Sequence, residues 1–232
     1  MYLVMCEDLT AFNGSGKNIL LTGANSGIGF YALIDLLKNK NFLYVPIRSN
    51  SRKKIFLNKL KNYFNEKLLS KYLNIIEDID FSDLENIRKI KEYLIKKEIY
   101  LDVIILNAGM QYTGALYPKV SKQGIEMTFA INHLAHFYLI NKLLPIIKNS
   151  EESRIIVTSS DVHDPSSSGG NVGEKACLNN LENFEDIVYG KFINFSADKA
   201  YKNSKLCNIL FAKELSRKMI GKEKNIAVIS WA

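Results

Sequence analysis

Tyr201 and Lys205 stand four residues apart in the stretch Ala200-Tyr201-Lys202-Asn203-Ser204-Lys205. On a helix that spacing puts both side chains on one face. A phenol titrates near ~10, too high for easy proton exchange at neutral pH, and a neighbouring ammonium favours the phenolate and lowers that value. The pair is therefore suited to proton transfer. Cys207, two residues further on, reads as a core thiol. His133 and His136 sit among apolar residues in FAINHLAHF and read as buried or interface histidines rather than catalytic ones.

A second cluster has different chemistry. Thr22-Gly23-Ala24-Asn25-Ser26-Gly27-Ile28-Gly29 closes an apolar run and opens an amphipathic one. Glycines at a strand-to-helix junction permit a tight turn and close approach of backbone to a pyrophosphate, which the helix N-terminus favours electrostatically. At the end of the next apolar run, an enzyme using NAD would place an acid for the ribose 2′-hydroxyl. The sequence there is Ile47-Arg48-Ser49-Asn50-Ser51-Arg52-Lys53-Lys54, with no acid. Arg48 can pair with a 2′-phosphate, so the expected cofactor is NADP(H) rather than NAD(H). Lys53 and Lys54 read as surface charges.

These groups need a frame to hold them. Short apolar runs alternate with longer amphipathic stretches. Strands are expected at 18–22, 42–47, 73–79, 103–106, 154–158 and 225–230, and helices at 27–37, 52–69, 121–147 and 197–219. Ser82 and Glu85 read as a capping box opening another helix to about Lys97. Such alternation predicts βαβ units, hence an α/β Rossmann-like, doubly wound parallel sheet with helices on both faces. Pro46 cannot donate a ladder hydrogen bond, so the pairing of the second strand is expected to end at or before it. The only long connection lies between Ser160 and Ala197.

Bulk properties narrow the function classes. A chain of 232 residues with 47% hydrophobic content fits one large domain. The formal charge of +7 is spread over several helices without a basic stripe, so no nucleic-acid partner is expected. Cys6, Cys177 and Cys207 are widely spaced, which gives no metal-ligand cluster and suits a reducing compartment. The N-terminal stretch MYLVMCEDLT carries acids where a signal peptide needs an apolar core, and no apolar run reaches the ~20 residues of a membrane span. A soluble, cytoplasmic protein acting on a small molecule is expected.

Taken together, the motifs resemble the short-chain dehydrogenase/reductase family over nearly the whole chain. The TGxxxGIG turn at residues 22–29, Asp80 with Phe81 after the third strand, and Asn107-Ala108-Gly109 after the fourth stand in the family's order. So do Asn132 in the long helix, Ser159-Ser160 after the fifth strand, and the YxxxK of Tyr201 and Lys205. The resemblance implies hydride transfer at a nicotinamide with Tyr201 as proton donor. It implies that Ser160 holds the substrate oxygen, that Lys205 also holds the nicotinamide ribose, and that Asn132 positions a relay water. It further implies an adenine contact from Asp80 and a homo-oligomer formed through the long helices. The loop SGGNVGEKACLNNLENF followed by KAYKNSKLCN resembles light-dependent protochlorophyllide reductase, while NHLAHF and AYKNSKL are shared with retinol-dehydrogenase-like members. The substrate class implied is a carbonyl/alcohol pair or a tetrapyrrole-like C=C bond. Family members continue past the position of Ala232 with segments that wall the substrate pocket. A truncated, non-catalytic nucleotide-binding remnant acting by association is therefore the alternative reading.

Overall fold

A computed structural model describes residues 15–182, 184–190, 195–222 and 225–232. The N-terminal stretch MYLVMCEDLT, with Cys6, lies outside the described residues. The expected alternation is present. In chain order the elements are β1 (Asn18–Leu21), α1 (Gly27–Lys38), β2 (Phe42–Pro46), α2 (Asn50–Leu60), α3 (Glu66–Tyr72), β3 (Leu73–Ile76), α4 (Leu84–Lys96) and β4 (Val103–Leu106). They continue with α5 (Met127–Phe129), a π-helical turn (Ala130–Leu134), α6 (Ala135–Leu143), β5 (Ser153–Thr158), α7 (Phe184–Tyr189), α8 (Ala197–Ile220) and β6 (Ile226–Trp231).

All six strands are parallel, in the order β3-β2-β1-β4-β5-β6. That is the doubly wound dinucleotide-binding order, in which ligands sit at the carboxyl ends of the strands where the order reverses. The sheet separates two cores. Leu33 and Leu37 of α1, with Phe56 and Leu60 of α2, bury Ile19, Leu21, Leu43 and Val45 on one face. Ile87 and Ile90 of α4, Leu139 and Leu143 of α6, and Leu215 and Met219 of α8 cover Leu20, Ile104, Ile155 and Val157 on the other.

Several local expectations are corrected. The helix expected over 52–69 is two: α2 ends at Leu60, and the Asn65 side chain accepts from Leu68 N–H at 2.9 Å to start α3. β3 stops at Ile76 because Asp78 adopts φ 56°. The cap of α4 is Asp83, not Ser82. The Asp83 carboxylate accepts from Glu85 N–H at 3.1 Å, while Ser82 donates twice to Asp80. The long helix begins at Met127 rather than Ser121. Glu126 caps it by accepting from Thr128 and Phe129 N–H at 2.9 and 2.7 Å, and Gly124 turns the preceding chain at φ 76°.

Pro46 is accommodated by strand geometry. Ile47 N–H donates to the Ile76 carbonyl at 2.8 Å, so pairing with β3 runs through Pro46. Backbone N–H groups alternate sides along a strand, so the missing one of Pro46 faces β1. The β1–β2 register stops at Leu20 with Tyr44, before that group would be needed.

Candidate functional site

The carboxyl ends of the strands surround one cavity of about 880 Å³. Of the residues expected from sequence, Gly23, Asn25, Ser26, Gly27, Ile28, Arg48, Asp80, Phe81, Asn107, Ala108, Gly109, Ser160, Tyr201 and Lys205 line it. A volume of that size suits a dinucleotide-sized ligand.

The glycine turn is shaped by its neighbour loop. Gly23 has φ 69°, and a Cβ there would lie 2.7 Å from Ala108 Cα. A Cβ on Gly29 would lie 2.4 Å from Asn107 Nδ2 and 2.5 Å from the Gly23 carbonyl oxygen. The turn and the Asn107-Ala108-Gly109 loop are thus packed backbone to backbone, which leaves the first N–H groups of α1 aimed into the cavity.

Thr22, Gly29 and Asn132 do not line the cavity; they sit behind it. Thr22 is fully buried, and its hydroxyl oxygen accepts from Asn107 and Ala108 N–H at 2.8 and 2.9 Å. Both lone pairs are then used, so its proton points to His136 Nε2, 3.1 Å away. His136 Nδ1–H in turn donates to the Asn132 carbonyl at 3.2 Å. Burial pushes the His136 pKa down to about 3, which keeps the ring neutral in this tautomer. The histidine is structural, as expected. His133, half-buried against Asn208, is held below its ordinary range for the same reason.

The Asn132 amide is fully engaged. Its oxygen accepts from Met110 N–H at 2.8 Å, and its nitrogen donates to the Met110 carbonyl at 3.0 Å and to Ser204 Oγ at 3.1 Å. The π turn around Asn132 lets its carbonyl take the Asn208 amide at 3.1 Å as well as the His136 ring. Asn132 therefore clamps the loop after β4 to α8.

Ser196 caps α8 by accepting from Lys199 N–H at 3.2 Å, and this helix presents Tyr201 and Lys205 together. Lys205 Nζ lies 5.4 Å from the Tyr201 ring centroid and 3.3 Å from the Thr158 carbonyl. Burial lowers Lys205 to about 8. Burial also raises Tyr201, against the lowering effect of the nearby Ser160 hydroxyl, with Asp161 adding to the rise. The expected lowering of the phenol is thus not the net result, because desolvation outweighs the lowering effect of Ser160. Ser160 faces Tyr201, whereas Ser159 is tied to the Lys205 carbonyl at 2.9 Å. Cys207, on the same helix, is a core thiol pushed up to about 12 by burial.

At the far end of the cavity, Arg48 is joined by Arg52, which the sequence analysis left unassigned. Both are exposed, and neither makes an ion pair among the described residues. Ser49 accepts from Arg52 N–H at 3.4 Å and caps α2 beside them. Lys53 is a surface charge, paired with Glu77 at 2.6 Å. Lys202 was also missed. It is almost fully buried, with Nζ on the Val172 and Glu174 carbonyls and 3.1 Å from Asp198. Together with Asn203, whose side-chain oxygen accepts from Cys177 N–H at 2.8 Å, it fastens the long connection to the helix of Tyr201. A buried lysine is invisible to a periodicity argument, because its partners are backbone groups distant in sequence. Among the described residues no cluster could hold a metal ion, and no helix is long and apolar enough to cross a membrane.

The family model for short chain dehydrogenases matches residues 17–172. The chain belongs to that family. It is 32% identical over 224 residues to mouse retinol dehydrogenase 14, covering 92% of this chain and 60% of that protein. It is 30% identical to human WW domain-containing oxidoreductase, covering 92% of this chain and 48% of that one. The chain thus spans about half to three-fifths of the length of these relatives. Of the two branches expected from sequence, the retinol-dehydrogenase-like one is the branch they carry. Solved neighbours share the fold. A Mycobacterium paratuberculosis protein superposes with TM-score 0.72 at 24% identity, covering 93% of this chain and 67% of its own. A Pseudomonas aeruginosa RhlG–NADP complex gives 0.66 at 21%, covering 93% and 71%.

Proposed function

We propose that this short-chain dehydrogenase uses NADP(H) to interconvert a carbonyl and an alcohol on a small molecule, with Tyr201 as proton donor and acceptor. The observation that carries the reading is one cavity lined at one end by Ser160, Tyr201 and Lys205 and at the other by the unpaired Arg48 and Arg52. The glycine turn between them fits a pyrophosphate, and Asp80 and Phe81 border the adenine side. The nicotinamide, when bound, supplies or accepts the hydride at the substrate carbon.

The chain's own groups handle the oxygen. The Ser160 hydroxyl stands beside Tyr201, and two convergent hydroxyls suit an oxygen atom better than a carbon–carbon bond. Tyr201 gives its proton to that oxygen in reduction. Its raised pKa keeps it protonated at neutral pH, which favours the reductive direction there. Lys205 holds positive charge beside the phenol until its own proton is lost near 8. The two described cysteines are free, which fits a cytoplasmic setting.

The test is consumption of NADPH with a panel of aldehydes and ketones. Tyr201→Phe should lower kcat by about 10²- to 10⁴-fold, the ordinary worth of a general acid, while NADPH binding stays intact. NADPH binding without turnover for every acceptor would instead favour the non-catalytic reading.

A further inference from the structure

The hydroxyl pair of Ser160 and Tyr201 has an acidic neighbour. Asp161 follows Ser160 at the end of β5 and opens a single 3-10 turn, Asp161–His163. Its Oδ1 lies 3.4 Å from Ser160 Oγ. The side chain is exposed and makes no ion pair among the described residues. A Cβ added to Gly169 of the long connection would stand 3.7 Å from the carboxylate. Ser160 has one hydroxyl proton, and in the resting site Asp161 accepts it.

A reacting oxygen must come within hydrogen-bond reach of both Ser160 and Tyr201. With Ser160 Oγ 3.4 Å from Asp161 Oδ1, an oxygen held about 3 Å from Ser160 stands no more than about 6 Å from the carboxylate, and a substituent on the next carbon can turn toward it. There, like charges cost anywhere from a few-fold in affinity, at the dielectric of water, to more than about a hundredfold at a partly buried site. A hydroxyl or ammonium at the same place would be accepted by the carboxylate instead.

We propose that Asp161 sets the charge of the substrate. It admits carbonyl compounds whose neighbouring substituent is a neutral or cationic hydrogen-bond donor, and it rejects 2-oxo carboxylates. This rests on Tyr201 being the proton donor of a carbonyl reductase.

Aminoacetone, hydroxyacetone and pyruvate share one three-carbon skeleton and differ in the charge beside the carbonyl. With the full chain and NADPH, kcat/KM should fall from the cation to the anion, with pyruvate about tenfold or more below hydroxyacetone. Asp161→Asn should move the two extremes in opposite directions, raising pyruvate and lowering aminoacetone. A merely structural residue would lower all three together. That result, or a ranking unaltered by the substitution, overturns the proposal. Failure of all three compounds to react would count against the reductase reading, and a second measurement then decides for Asp161. The groups facing the Tyr201 hydroxyl are Lys205 on its own helix and Ser160 and Asp161 on the turn, with His163 bonded to the Ser160 carbonyl. Phenolate difference absorbance against Tyr201→Phe reads the Tyr201 titration. A lower midpoint in Asp161→Asn shows the carboxylate to be in reach, and an unchanged midpoint overturns the proposal.

Discussion

Replacing Arg48 by Asp is the sharpest test of the cofactor assignment. Arg48 and Arg52 are exposed and unpaired at the end of the cavity, beside the Ser49-capped start of α2. A hydrogen bond to a charged group contributes about 1.5–3 kcal/mol, and exposure places Arg48 at the low end of that range. Losing it alone weakens NADPH by about tenfold. The introduced carboxylate adds repulsion of about 1 kcal/mol at contact distance in a water-like dielectric. The two effects together amount to about 2.5 kcal/mol, or roughly fifty- to a hundredfold in Kd. NADH lacks the 2′-phosphate and should bind nearly as before. Titration of nicotinamide fluorescence with both cofactors gives the ratio of the two Kd values. That ratio should also shrink with rising ionic strength in the parent chain, because the contact is exposed. An unchanged ratio in Arg48→Asp, or an equal weakening of NADH, would refute the reasoning. Arg52→Ala should give a smaller change of the same sign.

Two further substitutions address what lies behind the cavity. Thr22→Val keeps the shape but leaves the Asn107 and Ala108 N–H groups without an acceptor; stability in urea should fall by about 1–3 kcal/mol for each group left unpaired. His136 is depressed to about 3 in the folded chain, whereas an unfolded histidine titrates near ~6.5. The unfolded state therefore binds the extra proton in that window. Stability from the neutral ring is present above ~6.5 and is lost as the pH falls toward 3, by up to about 1.4 kcal/mol per pH unit. His136→Gln should remove that slope from the difference between the two stability–pH curves, and parallel curves would show the ring to titrate normally.

The sequence carries some of this and hides the rest for physical reasons. Strand positions and their parallel order follow from continuous apolar runs such as Val103–Leu106, which sheets buried on both faces require. The cavity-lining residues were legible because glycines at a strand end and a tyrosine and lysine at helical spacing are local signals. Helix boundaries were less legible. Asn65 and Glu126 both act as caps, yet each is a common surface residue whose role depends on where the chain turns. The π turn at Ala130–Leu134 leaves no periodicity signal, since five residues are too few to shift a 3.6-residue pattern visibly. Arg52 and Lys202 were passed over because their meaning lies in what surrounds them: an unpaired cation at a cavity in one case, a ring of carbonyls in the other.

The motif residues consequently divide by what they touch. Ser160, Tyr201, Lys205 and Arg48 face the cavity, so their loss should act on chemistry or affinity directly. Thr22, Asn132, His136 and Asn208 form a buried chain of hydrogen bonds that joins the glycine turn, the end of β5 and the helix of Tyr201. Each of these four has its side-chain polar atoms committed to backbone, to another member, or to His133 and Ser204. Such a network fixes the strand ends relative to α8 and cannot relax one partner at a time. A family motif that spans both sets therefore records two different demands: groups that meet the ligand, and polar groups buried behind them that hold those groups in register. The second demand explains why an asparagine and a histidine lie almost fully buried at the centre of an otherwise apolar face.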